Sequence, residues 1–272
     1  MLFGIKNGRL PMGDTTMEYI RFGTGSRNLI MLPGLGDGLR TIYGTALPFA
    51  LMYHRFAKGY TVYSFSRKSD MAPGTTTRDM ARDVRDAMDM LGIEQADVFG
   101  VSMGGMLSQH LAIDYPERVG MLVLAVTASH TNPILEESVH EWMSFARQGD
   151  HTALMDSNLR RIYTPDYYRR NRWTIPIIGK LTKPRSYERF LTMAQACLEH
   201  DAHEGLSRIQ SPVLVVGGGK DQSLGGEASR EIADQIPNSR LVIFPEQGHG
   251  LYEEEKTFND LVLDFLNGTG RE

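Results

Sequence analysis

The stretch ADVFGVSMGGMLSQH, residues 96–110, decides the fold. It opens as an apolar run suited to a buried strand and closes as a segment of helical composition. Between them stands Ser102, with Gly100 before it and Gly104 after it. Glycine weakens strands and helices alike, so a pair of them around one serine needs a physical reason. A strand that turns sharply into a helix supplies it: the corner residue is strained and neighbouring backbone passes very close, leaving no room for Cβ atoms. The corner lifts the Ser102 side chain clear of the sheet. The first N–H groups of the new helix stay unpaired and point the same way.

Outward from this corner, the chain alternates between strand and helix. On the amino-terminal side, Met17–Phe22 alternates and NLIMLPG (28–34) is a short buried run stopped by Pro33 and Gly34. Asn7-Gly8 between apolar segments predicts a hairpin turn. A helical stretch around 48–58 precedes the strand YTVYSFS (60–66). TTTRDMARDVRDAMDMLGI then sets Met80, Val84, Ala87, Met88 and Leu91 at helical spacing behind a threonine cap and before Gly92. On the carboxyl side, MLVLAVTA (121–128) reads as a strand. Alternation resumes with PVLVVGGGKD, helix ASREIADQI, strand RLVIFPEQGHG and helix FNDLVLDFL. Strands that are apolar throughout, separated by helices, predict a mostly parallel, doubly wound α/β sheet covered on both faces. Residues 130–208 interrupt the pattern with several helices punctuated by Pro133, Pro165, Pro176 and Pro184. The expected organisation is therefore a core of residues 1–129 and 209–272 with an inserted helical cap at 130–208, placed to choose substrates while adding little to the chemistry.

Composition narrows the function classes. The 272 residues are 41% hydrophobic and 23% charged, with a formal net charge of −4, a balance that suggests neither nucleic-acid nor membrane partners. No run reaches the roughly 18 apolar residues of a membrane span, and MLFGIKNGRLPMGD lacks the features of a secretory signal. Cys197 is the only cysteine, so a reducing, cytoplasmic setting is expected.

Ligands of a doubly wound sheet sit beyond the carboxyl ends of its strands. Four loops there carry chemistry: PGLGDG (33–38), GVSMGG (100–105), GGGKDQ (217–222) and EQGHG (246–250). Between them they supply a hydroxyl, a carboxylate, an imidazole and free backbone N–H groups. GVSMG matches the G-x-S-x-G nucleophile elbow. With the acid after GGGK, the histidine in GHG and the PGLGDG loop near the front, the chain resembles the α/β-hydrolase family over all but the insert, which corresponds to that family's variable cap. The resemblance implies a Ser102–Asp221–His249 triad, in the family's chain order. It also implies oxyanion donors at the backbone N–H groups of Leu35 and Met103. Where many relatives carry His-Gly, this chain has Pro33-Gly34; the donor remains, but a side chain that could brace the loop is gone.

Other features have plainer readings. Asp37, between glycines, reads as a turn carboxylate. His200 and His203 with Glu199, Asp201 and Glu204 read as a solvated helix end; no metal or organic cofactor is implied. GLGDGL and VGGGKD miss the nucleotide-loop patterns. LRRIYTPDYYRRNRW is basic and aromatic and reads as solvated cap helix. Trp142, Trp173 and Met143 are the expected substrate-contacting residues of the insert. Together the residues and the resemblance predict a serine hydrolase of the carboxylesterase kind, cleaving a small-molecule ester or lactone through an acyl-enzyme. Same-fold rivals are carbon–carbon bond hydrolysis, perhydrolysis and acyl transfer; from another class, a ligand sensor with a nearly idle triad.

Overall fold

The computed structural model describes residues 4–268; the outermost ends of the expected core, 1–3 and 269–272, lie outside it, as does the start of the stretch tested for a signal. In chain order the elements are β1 (Lys6–Met12), β2 (Thr15–Phe22), β3 (Arg27–Leu32), α1 (Ala46–Met52), β4 (Tyr60–Lys68), α2 (Thr77–Met90), β5 (Ala96–Val101), α3 (Met103–Asp114) and β6 (Val119–Ala125). The insert holds α4 (Pro133–Gln148), α5 (His151–Ile162), α6 (Pro165–Asn171), α7 (Ile175–Thr182) and α8 (Glu188–Leu198). The chain then returns to β7 (Val213–Gly218), α9 (Ala228–Gln235), β8 (Ser239–Phe244), α10 (Leu251–Glu254) and α11 (Phe258–Leu266).

The eight strands form one sheet in the order β1-β2-β4-β3-β5-β6-β7-β8. β2 pairs antiparallel with both neighbours, and every other pairing is parallel. The expected doubly wound, mostly parallel sheet is what forms. Alternate residues of one strand serve opposite faces: Ile30 and Leu32 join one core while Leu29 and Met31 join the other. β6 and β7 divide their residues likewise, so both faces are apolar because both are covered. Met80, Val84 and Met88 of α2, Leu107 and Leu111 of α3 and Ile232 of α9 cover the first face. Phe258, Val262 and Phe265 of α11 cover the second. Leu135, Val139, Trp142, Phe190 and Met193 of the insert belong to the first core. The insert therefore shares apolar burial with the sheet layers and does not pack around a separate centre.

Side-chain caps mark the starts of α2, α4, α5 and α6. Thr76 and Asp79 form a reciprocal capping box at the start of α2: the Asp79 N–H donates to the threonine hydroxyl and the Thr76 N–H to the Asp79 carboxylate, each at 3.1 Å. One sequence expectation fails. Asn7-Gly8 is not a turn but lies inside β1, and the chain reverses at Gly13-Asp14, where Gly13 has φ +69°. Gly8 sits opposite Tyr19 in the register. A Cβ there would come within 2.2 Å of the tyrosine ring, so the glycine makes room for an aromatic neighbour on the next strand.

Candidate active site

Ser102 occupies the corner between β5 and α3 with φ 54° and ψ −122°, a conformation that costs an L-residue on the order of 1–3 kcal/mol. Its surroundings hold it there. The Ser102 N–H donates to Ala125 O at 2.9 Å, and its carbonyl accepts from Gly105 N–H and the Thr127 hydroxyl, both at 2.8 Å. A Cβ at Gly100 would lie 2.3 Å from Ser108 Oγ, and one at Gly104 1.9 Å from Leu32 O. The close approach inferred from the sequence is thus backbone of α3 against the end of β3. Gly105, which the pattern did not single out, is equally tight: its Cβ would fall 2.6 Å from Thr127. Thr127 follows a second strained residue, Val126, at φ 43°. Positive φ is rare for a β-branched side chain. The kink lets Val126 N–H keep its bond to Val216 O while the next hydroxyl turns to Ser102.

Asp221 and His249 come together from the loops after β7 and β8. Those loops run back to back: Lys220 N–H donates to Gln247 O at 2.9 Å, and a Cβ at Gly218 would meet Gly248 O at 2.3 Å. Asp221 Oδ2 lies 2.7 Å from His249 Nδ1, and its Oδ1 accepts from Ser223 N–H at 2.8 Å and Leu224 N–H at 3.0 Å. Both side chains are buried. A carboxylate accepting at Nδ1 puts the imidazole proton on that nitrogen and leaves Nε2 as the basic atom.

The loop after β3 closes on the serine. A Cβ at Gly34 would stand 3.7 Å from Ser102 Oγ. Leu35 opens a 3-10 turn (Leu35–Gly38) and Met103 opens α3, and N–H groups at such positions have no partner within the helix.

The missing brace of this loop is supplied by residues the sequence reading passed over. Arg67, at the end of β4, donates through Nη2 to Pro33 O at 2.5 Å and through its backbone N–H to Asp37 Oδ2 at 2.9 Å. Arg189 of α8 pairs with Asp37 Oδ2 at 2.5 Å. It also bonds the carbonyls of Asp37, of Arg67 at 3.0 Å and of Lys68 at 2.9 Å. Asp37 is therefore an internal anchor, 5% exposed, and not a surface turn residue. Burial pushes the Arg67 guanidinium down to about 10, against the pull of Asp37 and with the repulsion of Arg189, so it stays charged at neutral pH. Two guanidinium groups against one carboxylate leave an excess positive charge behind the loop after β3. Arg67 Nε and Nη1 and Asp37 Oδ1 are buried without a hydrogen-bond partner among the described residues. The available signal was an arginine at the carboxyl end of an apolar strand, on the same sheet edge as the four loops considered.

The insert grips the histidine loop as well. Gly250 N–H donates to Ile162 O at 2.6 Å, Tyr163 Oη to Glu253 Oε2 at 2.6 Å, and Thr164 N–H and hydroxyl to the Glu254 carboxylate at 2.9 and 2.6 Å. Burial raises the Glu253 carboxyl even though the tyrosine bond opposes it.

The insert residues expected to touch substrate separate sharply. Trp142 and Met143 of α4 are 6% and 2% exposed within the first core, whereas Trp173 is 70% exposed. A cavity of about 590 Å³ opens between the loop after β3 and α1, lined by Pro33, Asp37, Thr41, Ile42, Thr45 and Phe49 among others; none of the three lines it, nor do Ser102, Asp221 and His249. His200 is not at a solvated helix end. It is 2% exposed, with Nδ1 2.9 Å from the Thr77 hydroxyl. Among the described residues no group of three His, Cys, Asp or Glu side chains could hold a metal, and no helix is long and apolar enough to cross a membrane.

Known proteins resemble the chain along most of its length. The family model of the alpha/beta hydrolase fold matches residues 27–256. A putative carbamate hydrolase, RutD, of Caulobacter sp. (strain K31) is 30% identical over 196 residues, 71% of this chain and 73% of that protein. A 2-hydroxy-6-oxononadienedioate/2-hydroxy-6-oxononatrienedioate hydrolase of Pseudomonas putida is 27% identical across 96% of this chain and 94% of its own. Among solved structures, the enol-lactonase from Burkholderia xenovorans LB400 superposes with a TM-score of 0.81 at 23% identity, covering 96% of this chain and all (100%) of that one. The hydrolase MGS-M2 from a Medee basin deep-sea metagenome library reaches 0.85 at 22% identity, covering 97% and 99%. By its family match, its sheet order and its serine corner, the chain belongs to the α/β-hydrolase family.

Proposed function

We propose that this chain is a serine hydrolase that cleaves a small-to-medium carboxylic ester or lactone through an acyl-enzyme. One observation carries the reading: a buried carboxylate–imidazole pair at 2.7 Å on the same sheet edge as a serine held in a strained, glycine-lined corner. His249 Nε2 takes the hydroxyl proton as Ser102 Oγ attacks the substrate carbonyl. Asp221 keeps the imidazole in the required tautomer and stabilises the imidazolium. The N–H groups of Leu35 and Met103 receive the developing oxyanion, each such donor being worth ~2.7–4 kcal/mol. The excess positive charge of Arg67 and Arg189 favours the same oxyanion from behind. The alcohol leaves with the proton from His249; water then repeats the sequence on the acyl-enzyme and frees the acid. No cofactor enters these steps. Residues 130–208 serve as the cap. The single cysteine, Cys197, is buried with its thiol pushed up to about 12 by burial, which suits a cytoplasmic setting.

A second reading, hydrolysis of a carbon–carbon bond, is favoured by the 2-hydroxy-6-oxo acid hydrolases among the relatives, whose substrates as named contain no ester. The test is turnover of p-nitrophenyl esters of increasing chain length, of lactones and of a 2-hydroxy-6-oxo dienoate, by the wild type and Ser102→Ala. Ester or lactone turnover that vanishes with Ser102 is the expected result. Turnover of the dienoate alone would transfer the proposal to the second reading, and binding without turnover of any substrate would replace both with a sensor.

A further inference from the structure

The net charge of −4 conceals an opposite local balance at the outer side of the insert. Between Tyr167 and Tyr187 lie Arg169, Arg170, Arg172, Lys180, Lys183 and Arg185, and no acidic residue. Among the described residues only Arg169 of the six forms an ion pair, with Asp166. The same segment carries large exposed apolar side chains: Trp173 at 70%, Ile177 at 56%, Ile178 at 40% and Leu181 at 79%.

These are not scattered. In α7, residues 177, 178 and 181 fall on one face of the helix and Trp173 precedes it by one turn. Ile175 and Gly179 fall on the opposite, buried face, where Gly179 passes Thr152 of α5 and the Thr182 hydroxyl meets His151 Nε2 at 3.1 Å. The helix is thus fixed by one side and presents an aromatic-aliphatic ridge on the other, flanked by cations.

We propose that α7 and the turn before it form a docking surface for an anionic phospholipid bilayer, with Trp173, Ile177, Ile178 and Leu181 entering the headgroup boundary and the surrounding lysines and arginines contacting lipid phosphates. An amphipathic helix lying in the interface has this composition: a bulky apolar ridge bordered by Lys and Arg. A second copy of the chain is a poorer occupant. A two-fold contact would set the same patch against itself and bring two sets of uncompensated cations together. The four apolar side chains also exceed what a purely electrostatic partner would use.

The test is co-sedimentation of the full chain with phosphatidylcholine vesicles, with and without phosphatidylglycerol. Binding is expected on the anionic vesicles only, roughly tenfold or more above the neutral ones, and it should weaken as salt approaches about 1 M, where the Debye length falls to roughly 3 Å. Ile177→Asp with Leu181→Asp should abolish it, and Lys180→Glu with Lys183→Glu should reduce it, while turnover of a soluble substrate and the melting temperature hold in both. Absence of vesicle binding overturns the proposal, as does equal binding to both vesicle types or binding that survives both double variants. A concentration-dependent dimer removed by Ile177→Asp with Leu181→Asp, without vesicle binding, would assign the ridge to a second copy instead.

Discussion

The strand-end loops and the insert support the same site in different ways. At the strand ends, Ser102, Asp221 and His249 are placed by the sheet: each follows a parallel strand within a few residues, and glycines let backbone from neighbouring strand ends pass within contact. The insert reaches the site through pairs far apart in the chain. Arg189 meets Asp37 across 152 positions, and Thr164 meets Glu254 across 90. One attachment holds the loop of the proposed oxyanion donor Leu35; the other holds the loop of His249. The insert expected to add little to the chemistry is therefore bonded to both loops that the proposed chemistry needs. The sheet positions the candidate reacting groups, and the insert braces their loops.

Removing a reacting group should separate the two levels most strongly. Ser102→Ala is expected to lower kcat by roughly 10⁴-fold or more with little change in melting temperature. Ser102→Gly should lose activity equally while gaining up to about 1 kcal/mol of stability in urea titrations, because glycine accepts φ 54° without strain. Equal stability in the two variants would show that the corner is not under load.

Within the insert, the two tryptophans sharpen the contrast between packing and surface. Trp142→Ala opens a hole in the first core and should cost about 3–5 kcal/mol of unfolding free energy. Trp173→Ala, at a 70% exposed site, should stay within about 0.5 kcal/mol. Similar losses in the two would break the assignment of α4 to the shared core.

Arg189 probes the long-range brace. Its removal leaves the buried Asp37 carboxylate short of a charged partner, a loss on the order of 1.5–3 kcal/mol. If the brace positions the Leu35 N–H, kcat should fall more than KM rises, with partial recovery in Arg189→Lys. An unchanged kcat with lower stability would mark the contact as structural only.

The smallest effect concerns two histidines remote from Ser102. Burial holds His110 down to about 4 and His200 to about 3, so both enter the folded state neutral. Unfolded imidazoles protonate near 6.5. Their contribution is thus complete above that pH and is lost as the pH falls toward the folded values. Between pH 7.5 and 5.5 each should remove about 1.4 kcal/mol of stability, measurable by urea unfolding, and His200→Asn should flatten the slope. A slope unaffected by that substitution would contradict a buried neutral His200.

Much of this was legible in the chain. The alternation of apolar strands and helices, the Ser102 corner and the order of the four loops all follow from local pattern, because a strand-to-helix corner demands small residues at fixed offsets in sequence whatever backbone they approach. What escaped depended on partners that pattern does not specify. Gly8 is a turn signal only until Tyr19 is known to lie across from it. Asp37 looks like a loop carboxylate until Arg67 and Arg189 close over it. His200, beside acidic residues in sequence, is buried because Thr77 and His110 face it from other helices.

The proposed mechanism stands on Ser102 as the nucleophile and on His249, held by Asp221, as the base that activates it. It is tested most directly by reacting the protein with a fluorophosphonate and mapping the adduct by mass spectrometry, in the wild type and in His249→Ala. A single adduct on Ser102 is expected, forming at least about a hundredfold more slowly without the imidazole. An adduct on another residue, no adduct in an actively turning-over preparation, or equal labelling rates in the two proteins would contradict it.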